Sequence, residues 1–282
     1  MAPQPPSDPL VTFHPDLFSD TVALVTGGGT GIGRATATAF ARLGADLVLA
    51  GRRADVLDAV AEEVRERFGR RVLAVPTNIR EPSSVDALRD AAYAEFGQVD
   101  HLINNAGGQF PVLPSQLSDN GWRSVVDLNL NGTWTMLNRF MTLMVEAGSG
   151  SIVTMVHTYV FDRGARFFVH SGAARAGVLS MTRTMASFLA PHGVTVNAIA
   201  PGLIDTSGMR EHEGEAVAAM DIDTLGEMGL KTTRRMGTVD EVAAGIVWLA
   251  SPGARYVTGT VSVVDGGLVL DNWPDPWERD AF

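Results

Sequence analysis

Eight residues near the start of this 282-residue chain limit what it can become: Thr26-Gly27-Gly28-Gly29-Thr30-Gly31-Ile32-Gly33. They lie directly between an apolar run at 21–26 and a stretch with helical spacing at 32–43. A strand that turns at once into a helix needs backbone conformations that glycine adopts most cheaply. Glycines also let the chain approach an anion closely, and the first turn of the helix offers that anion unpaired N–H groups. In its strand–turn–helix setting, the run predicts a pyrophosphate cradle inside a parallel α/β domain.

The rest of the chain repeats the alternation. Strands are expected at 46–50, 72–76, 101–103, 151–156, 194–199 and 261–264. Helices are expected at 54–68, 83–96, 122–146, 170–189 and 240–250. Strand–helix repeats imply an α/β fold: a doubly wound parallel sheet of about seven strands, in a single domain. Residues 1–17 begin MAPQPPSDPL and read as a flexible, proline-rich arm. Residues 18–270 form the domain, 203–231 a mobile lid rich in Gly, Met and charge, and 271–282 a tail.

A net charge of −10 argues against a nucleic acid or an anionic membrane as partner. The chain has no cysteine, so it has no disulfide, thiol nucleophile or thiolate metal site. No His/Asp/Glu set has metal-ligand spacing. No apolar run approaches a membrane span, and the ends carry neither a secretory pattern nor a Ser-Lys-Leu address. The expected location is therefore cytoplasmic.

Ligands of such sheets bind outside the carboxyl ends of the strands. Gly27, Thr30, Gly31, Ile32 and Gly33 are the pyrophosphate candidates. The second strand runs into Gly51-Arg52-Arg53 rather than an Asp or Glu. An arginine there suits a 2′-phosphate, so Arg52 points to NADP(H). Asn78 and Ile79 follow the third strand, where the side-chain amide is placed to meet an adenine. Asn105, Ala106 and Gly107 follow the fourth, where backbone passes beside a cofactor.

Four motifs occur in order: Thr26–Gly33, Asn104-Asn105-Ala106-Gly107, Pro201-Gly202 and Asp265-Gly266-Gly267. Over about residues 18–270 the chain resembles the short-chain dehydrogenase/reductase family. The resemblance implies a Rossmann fold, adds Pro201 and Gly202 to the cofactor set, and identifies Asn129, in Asn129-Leu130-Asn131-Gly132, as the family's active-site asparagine. It also exposes a departure. Where the family carries Tyr-x-x-x-Lys, this chain reads Ser171-Gly172-Ala173-Ala174-Arg175. A serine hydroxyl is far less acidic than a phenol, and arginine keeps its proton. Arg175 can still bond ribose hydroxyls and fix positive charge near a nicotinamide.

Residues 169–178 resemble the trans-2-enoyl-CoA and 2,4-dienoyl-CoA reductase branch, which shows this departure. That resemblance implies NADPH-dependent reduction of an unsaturated acyl-CoA by a homotetramer. It carries the working tyrosine to Tyr159, just after the fifth strand, acting with Asn129, Ser171 and Arg175. Tyr159 stands sixteen residues before Arg175, one more than the family spacing. Thirteen residues before Ser171, where the family serine belongs, stands Thr158, beside His157. Neither restores the usual set, although His157 and His170 both border the region and can shuttle protons near neutral pH. Arg163, Arg166 and Arg210 are candidates for the coenzyme A tail. Met209, Met220 and Met228 suit a flexible acyl pocket. Two other readings remain open: a carbonyl reductase with a displaced proton donor, and an NADP-binding protein without catalysis.

Overall fold

In the middle of the sheet, continuous apolar runs become strands buried on both faces, as a parallel sheet requires. The computed structural model describes residues 8–161, 164, 167–208, 233 and 235–270. The strands are β1 (Val22–Thr26), β2 (Asp46–Gly51), β3 (Val72–Pro76), β4 (His101–Asn104), β5 (Gly150–Met155), β6 (Val194–Pro201) and β7 (Val261–Val264). Between them run α1 (Gly31–Arg42), α2 (Ala54–Phe68), α3 (Pro82–Phe96), α4 (Asp119–Val126), α5 (Gly132–Ala147), α6 (Val169–Leu189) and α7 (Val239–Ala250). The order across the sheet is β3-β2-β1-β4-β5-β6-β7, and every pairing is parallel. Strand order reverses between β1 and β4, which opens a crevice at their carboxyl ends.

Phe40, Leu47, Leu49, Ile103, Val153 and Ile246 build the core on the face covered by α1, α2 and α7. Leu24, Val48, Leu102, Met136, Phe140 and Ile152 build the other, under α3 and α5. The Thr26 hydroxyl ties β1 to the segment after β4. It donates to the Ile103 carbonyl at 3.2 Å and accepts the Asn105 and Ala106 N–H groups, each at 3.0 Å.

Two expectations need correction. Residues 8–17 were assigned to a flexible arm, but they form consecutive turns packed on the domain. Leu10 is buried in the first core, and the Phe18 ring that follows lies 4.7 Å from Phe40 and 4.9 Å from His101. The helix expected at 122–146 is interrupted: residues Asp127–Asn131 form a π-turn between α4 and α5. The Asn129 side chain donates to the Val125 carbonyl four residues back, at 3.0 Å. Such back-bonding competes with the regular ladder, and wide turns of this kind recur at functional sites.

Most of the expected lid (203–231), all of the tail (271–282), the three coenzyme A arginines and the three pocket methionines lie outside the described residues. Among those described, no helix is long and apolar enough to cross a membrane, and no cluster of His, Cys, Asp or Glu forms a metal site.

Candidate active site

The β1–α1 turn leaves no room for a side chain at Gly27 or Gly33. Gly27 has φ +67°, and a Cβ there would stand 2.8 Å from Asn105 Nδ2. A Cβ on Gly33 would meet the Gly27 carbonyl oxygen at 2.1 Å. Thr30 precedes α1 without a side-chain cap, and the helix has no acidic residue in its first turn. Its leading N–H groups and its dipole thus favour an anion.

In front of this turn lies a cavity of about 300 Å³. Its lining contains Gly27, Thr30, Gly31, Ile32, Gly33, Arg52, Asn78, Ile79, Asn105, Ala106 and Gly107. Exposed Arg52 and Arg53 stand at its rim, with no ion pair among the described residues. A glycine cradle under a helix N-terminus, flanked by two free arginines, fits a dinucleotide carrying an extra phosphate.

Three expected cofactor residues fall outside this lining: Arg175, Pro201 and Gly202. Packing requires glycine at 202, since a Cβ there would stand 2.7 Å from Asp265 Cβ. Asn78 lines the cavity with its amide partly engaged. It donates to Glu81 at 2.6 Å and accepts the Arg80 N–H at 3.3 Å. Sequence reasoning missed Thr206 and Gly208, which line the cavity from beyond β6. Their signal was the threonine a few residues after Pro201-Gly202, in a stretch read only as lid.

Asn129 and Arg175 converge on Gly107. A Cβ on that glycine would stand 2.0 Å from Arg175 Nη2 and 2.6 Å from Asn129 Oδ1. Arg175 is 7% exposed and donates to the Met155 carbonyl at 2.5 Å, where β5 ends. Burial lowers its pKa to about 10, so it remains charged at neutral pH. Ser171 is buried one turn earlier on α6. Asn131, by contrast, bonds Asp127 at 2.8 Å on the exposed side.

The fully buried Asn129 is engaged on every side. Its amide nitrogen donates to Gly108 O at 2.7 Å and Val125 O at 3.0 Å, and its Oδ1 accepts Gly108 N–H at 3.1 Å. Both amide hydrogens are committed, so this side chain has none for a substrate oxygen. It holds the Gly107-Gly108 backbone instead.

Tyr159 lies in a single 3₁₀ turn, Thr158–Val160, immediately after β5. His157 caps the turn, its Nδ1 accepting the Tyr159 N–H at 3.2 Å. Thr158 donates to Asp265 at 2.7 Å and so ties the turn to the segment after β7. Burial, and secondarily the Arg175 charge, depress the His157 pKa to about 4. His170 is fully buried, its ring 4.6 Å from Phe110 and edge-on to it. Burial lowers its pKa as well. The His157 imidazole is therefore neutral at physiological pH, which removes the reason for reading it as a shuttle. Of the other tyrosines, Tyr93 packs against Phe140 with centroids 6.5 Å apart, and Tyr256 is fully exposed.

Comparison with known proteins agrees with this layout. A family model described as enoyl-(acyl carrier protein) reductase matches residues 27–269. A peroxisomal 2,4-dienoyl-CoA reductase of Danio rerio is 36% identical over 264 residues, 93% of this chain and 86% of that protein. A probable 2,4-dienoyl-CoA reductase of Bacillus subtilis is 36% identical over 253 residues, covering 89% and 97%. Among solved structures, levodione reductase superposes with a TM-score of 0.84 at 30% identity, over 90% of this chain and 99% of that one. A citronellol catabolism dehydrogenase of Pseudomonas aeruginosa gives a TM-score of 0.78 at 38% identity, over 91% and 98%. With its seven-stranded Rossmann sheet and its glycine cradle, the chain belongs to the short-chain dehydrogenase/reductase family of oxidoreductases, which work with a nicotinamide cofactor.

Proposed function

We propose that the protein is an NADPH-dependent reductase of an unsaturated fatty acyl-CoA, either a trans-2-enoyl or a 2,4-dienoyl thioester. The observation that carries this is Arg175: a buried guanidinium, bonded to a carbonyl rather than a carboxylate, where the family usually sets a lysine. A permanent charge there cannot pass a proton to an alkoxide, as ketone reduction needs. It can stabilise negative charge on a nearby oxygen. The names of the dienoyl-CoA reductase relatives point the same way.

NADPH, when bound, supplies the hydride. The Gly27–Gly33 turn and the α1 N-terminus would hold its pyrophosphate, Arg52 its 2′-phosphate, and the Asn105–Gly107 backbone its inner face. As the carbon–carbon double bond is reduced, its electron pair moves toward the thioester oxygen, and a proton then goes to carbon. Arg175 supplies fixed positive charge for that oxygen. Tyr159 donates a hydrogen bond or relays the proton through water, Ser171 orients the substrate, and Asn129 positions Gly107 and Gly108. The assembly would be a homotetramer. Large side chains exposed on α5, α6, α7 and the edge strand (Trp134, Phe188, Trp248 and Val263) support that reading.

A carbonyl reductase is the second reading, favoured by the likeness to levodione reductase. One experiment separates the two and tests the cofactor: NADPH and NADH oxidation with enoyl-CoA, dienoyl-CoA and cyclic diketone substrates, in wild type and Arg52→Glu. The expected result is NADPH turnover on a thioester, with the NADPH KM raised at least about tenfold by Arg52→Glu, the loss of one charge-assisted phosphate contact. Turnover confined to the diketone would overturn the acyl-CoA reading. An NADPH KM unchanged in the variant would remove Arg52 from the cofactor site.

A further inference from the structure

Both Asn129 hydrogens are committed to backbone carbonyls, so the centre takes no donor from that side chain. His157 has a donor without an acceptor. Its Nδ1 accepts the Tyr159 backbone N–H, so the proton of the neutral ring sits on Nε2. That Nε2 is buried and has no hydrogen-bond partner among the described residues. A buried polar hydrogen left unpaired is costly, and such groups cluster where a ligand completes them. We propose that His157 is a catalytic residue whose neutral imidazole donates its Nε2–H to the thioester oxygen as negative charge develops there. The proposal rests on the acyl-CoA reading above.

Three observations locate this role in His157 rather than in another histidine. His157 is the second residue beyond β5, at the carboxyl edge of the sheet where ligands of this fold bind. It feels the charge of Arg175, the guanidinium packed on Gly107. The residue as a whole is partly exposed, while its Nε2 is enclosed. His101 also has unpaired nitrogens, but its ring lies among Phe18 and Phe40 in the core. The unpaired Nε2 of His170 belongs to a ring set edge-on against Phe110.

A depressed pKa suits this task. A ring that stays neutral keeps one N–H for hydrogen bonding without offering a second proton, and a neutral imidazole is sufficient to polarise a carbonyl. The chemistry balances simply. One carbon gains the hydride that NADPH would supply as the double-bond electron pair moves toward the thioester oxygen; that pair returns to carbon when the proton arrives through Tyr159 or water, and the His157 N–H bond stays intact throughout. Arg175 contributes charge from beside the oxygen, and His157 contributes direction.

The test separates donation from capping. His157→Asn keeps an acceptor for the Tyr159 N–H and deletes the distal donor. His157→Gln restores an N–H at about the reach of Nε2. With the full-length enzyme, NADPH and the best thioester found for wild type, His157→Asn should lower kcat on the order of 100-fold or more, with NADPH affinity unchanged. His157→Gln should recover part of that loss, and His170→Gln should cost far less. Independently, in ¹⁵N-histidine-labelled protein holding NADP⁺, the His157 Nε2–H proton should move downfield when a saturated acyl-CoA is added. A His157→Asn enzyme with near-normal kcat, or a resonance that ignores the thioester while binding is measured, would reduce His157 to a cap. Wild type without turnover on any thioester would overturn the acyl-CoA reading instead, and the resonance shift would still report whether His157 meets a bound acyl group.

Discussion

A single hydrogen on Gly107 decides whether two buried side chains can sit where they do. Adding a methyl group there would bring it within 2.0 Å of Arg175 Nη2 and 2.6 Å of Asn129 Oδ1. Arg175 is anchored to the Met155 carbonyl and Asn129 by three bonds of its own, so neither moves without breaking a buried contact. Gly107→Ala is expected to lower kcat about 100-fold, the typical effect of displacing a catalytic centre by about 1 Å. It should also lower stability by about 1–3 kcal/mol. Steady-state kinetics beside a urea titration reads both effects, and an alanine variant with wild-type turnover would detach this packing from catalysis. The proximity of three residues singled out by motif is visible in the structure: Asn129 and Arg175 both pack against Gly107. Their tasks were not all legible, because a side chain's free hydrogens depend on neighbours such as Gly108 and Val125 that no motif specifies.

Elements were easiest to read where one physical signal acted alone. The α2 boundaries followed from helical spacing and from Gly69, which closes the helix in the left-handed conformation at φ +63°. The π-turn at Asp127–Asn131 was missed because its cause is a side chain bonding its own helix, which leaves apolar spacing intact. Residues 8–17 were misjudged because proline-rich composition outweighed two apolar anchors, Leu10 and Phe18.

At this scale the start of α7 offers a test. Thr238 Oγ1 accepts the Glu241 N–H at 3.2 Å, the Glu241 carboxylate accepts the Thr238 N–H at 2.8 Å, and Arg235 grips that carboxylate at 2.5 and 2.9 Å. The Arg235 bond, joined by the Thr238 N–H, lowers the Glu241 pKa to about 2 against the cost of burial. This contribution is complete above pH 4.5 and fades as pH falls toward 2. Glu241→Gln should cost about 1–2 kcal/mol at neutral pH. Thermal melts should show the gap between variant and wild type narrowing in acid, and a constant gap down to pH 2 would discount the ion pair.

At the scale of the whole molecule, acid is the weak direction. Burial holds His101 and His157 at pKa values of about 4, and His170 is lowered as well. Below the ordinary histidine value of 6.5 the unfolded chain takes up protons that the folded one refuses. Stability is therefore full above that pH and is lost as pH falls toward 4, by up to roughly 3 kcal/mol for His101 alone. Phenylalanine at 101 would keep the contacts with Phe18 and Phe40 and remove two buried, unpaired nitrogens. His101→Phe is expected to raise stability by about 1–3 kcal/mol at pH 7.5 and to flatten the acid slope by about one proton. Urea titrations at pH 7.5, 5.5 and 4.5 measure it, and an unchanged slope would mean that His101 is not the group refusing the proton. The strand order β3-β2-β1-β4 sets a timetable as well. On the ribosome, β1 gains β2 early, but its other edge waits for β4, about 75 residues further along the chain. At about 5–20 residues per second, that leaves an apolar strand with one bare edge for roughly 4–15 s in every molecule made. Slower synthesis across this interval lengthens that exposure, and with it the chance of pairing with another chain.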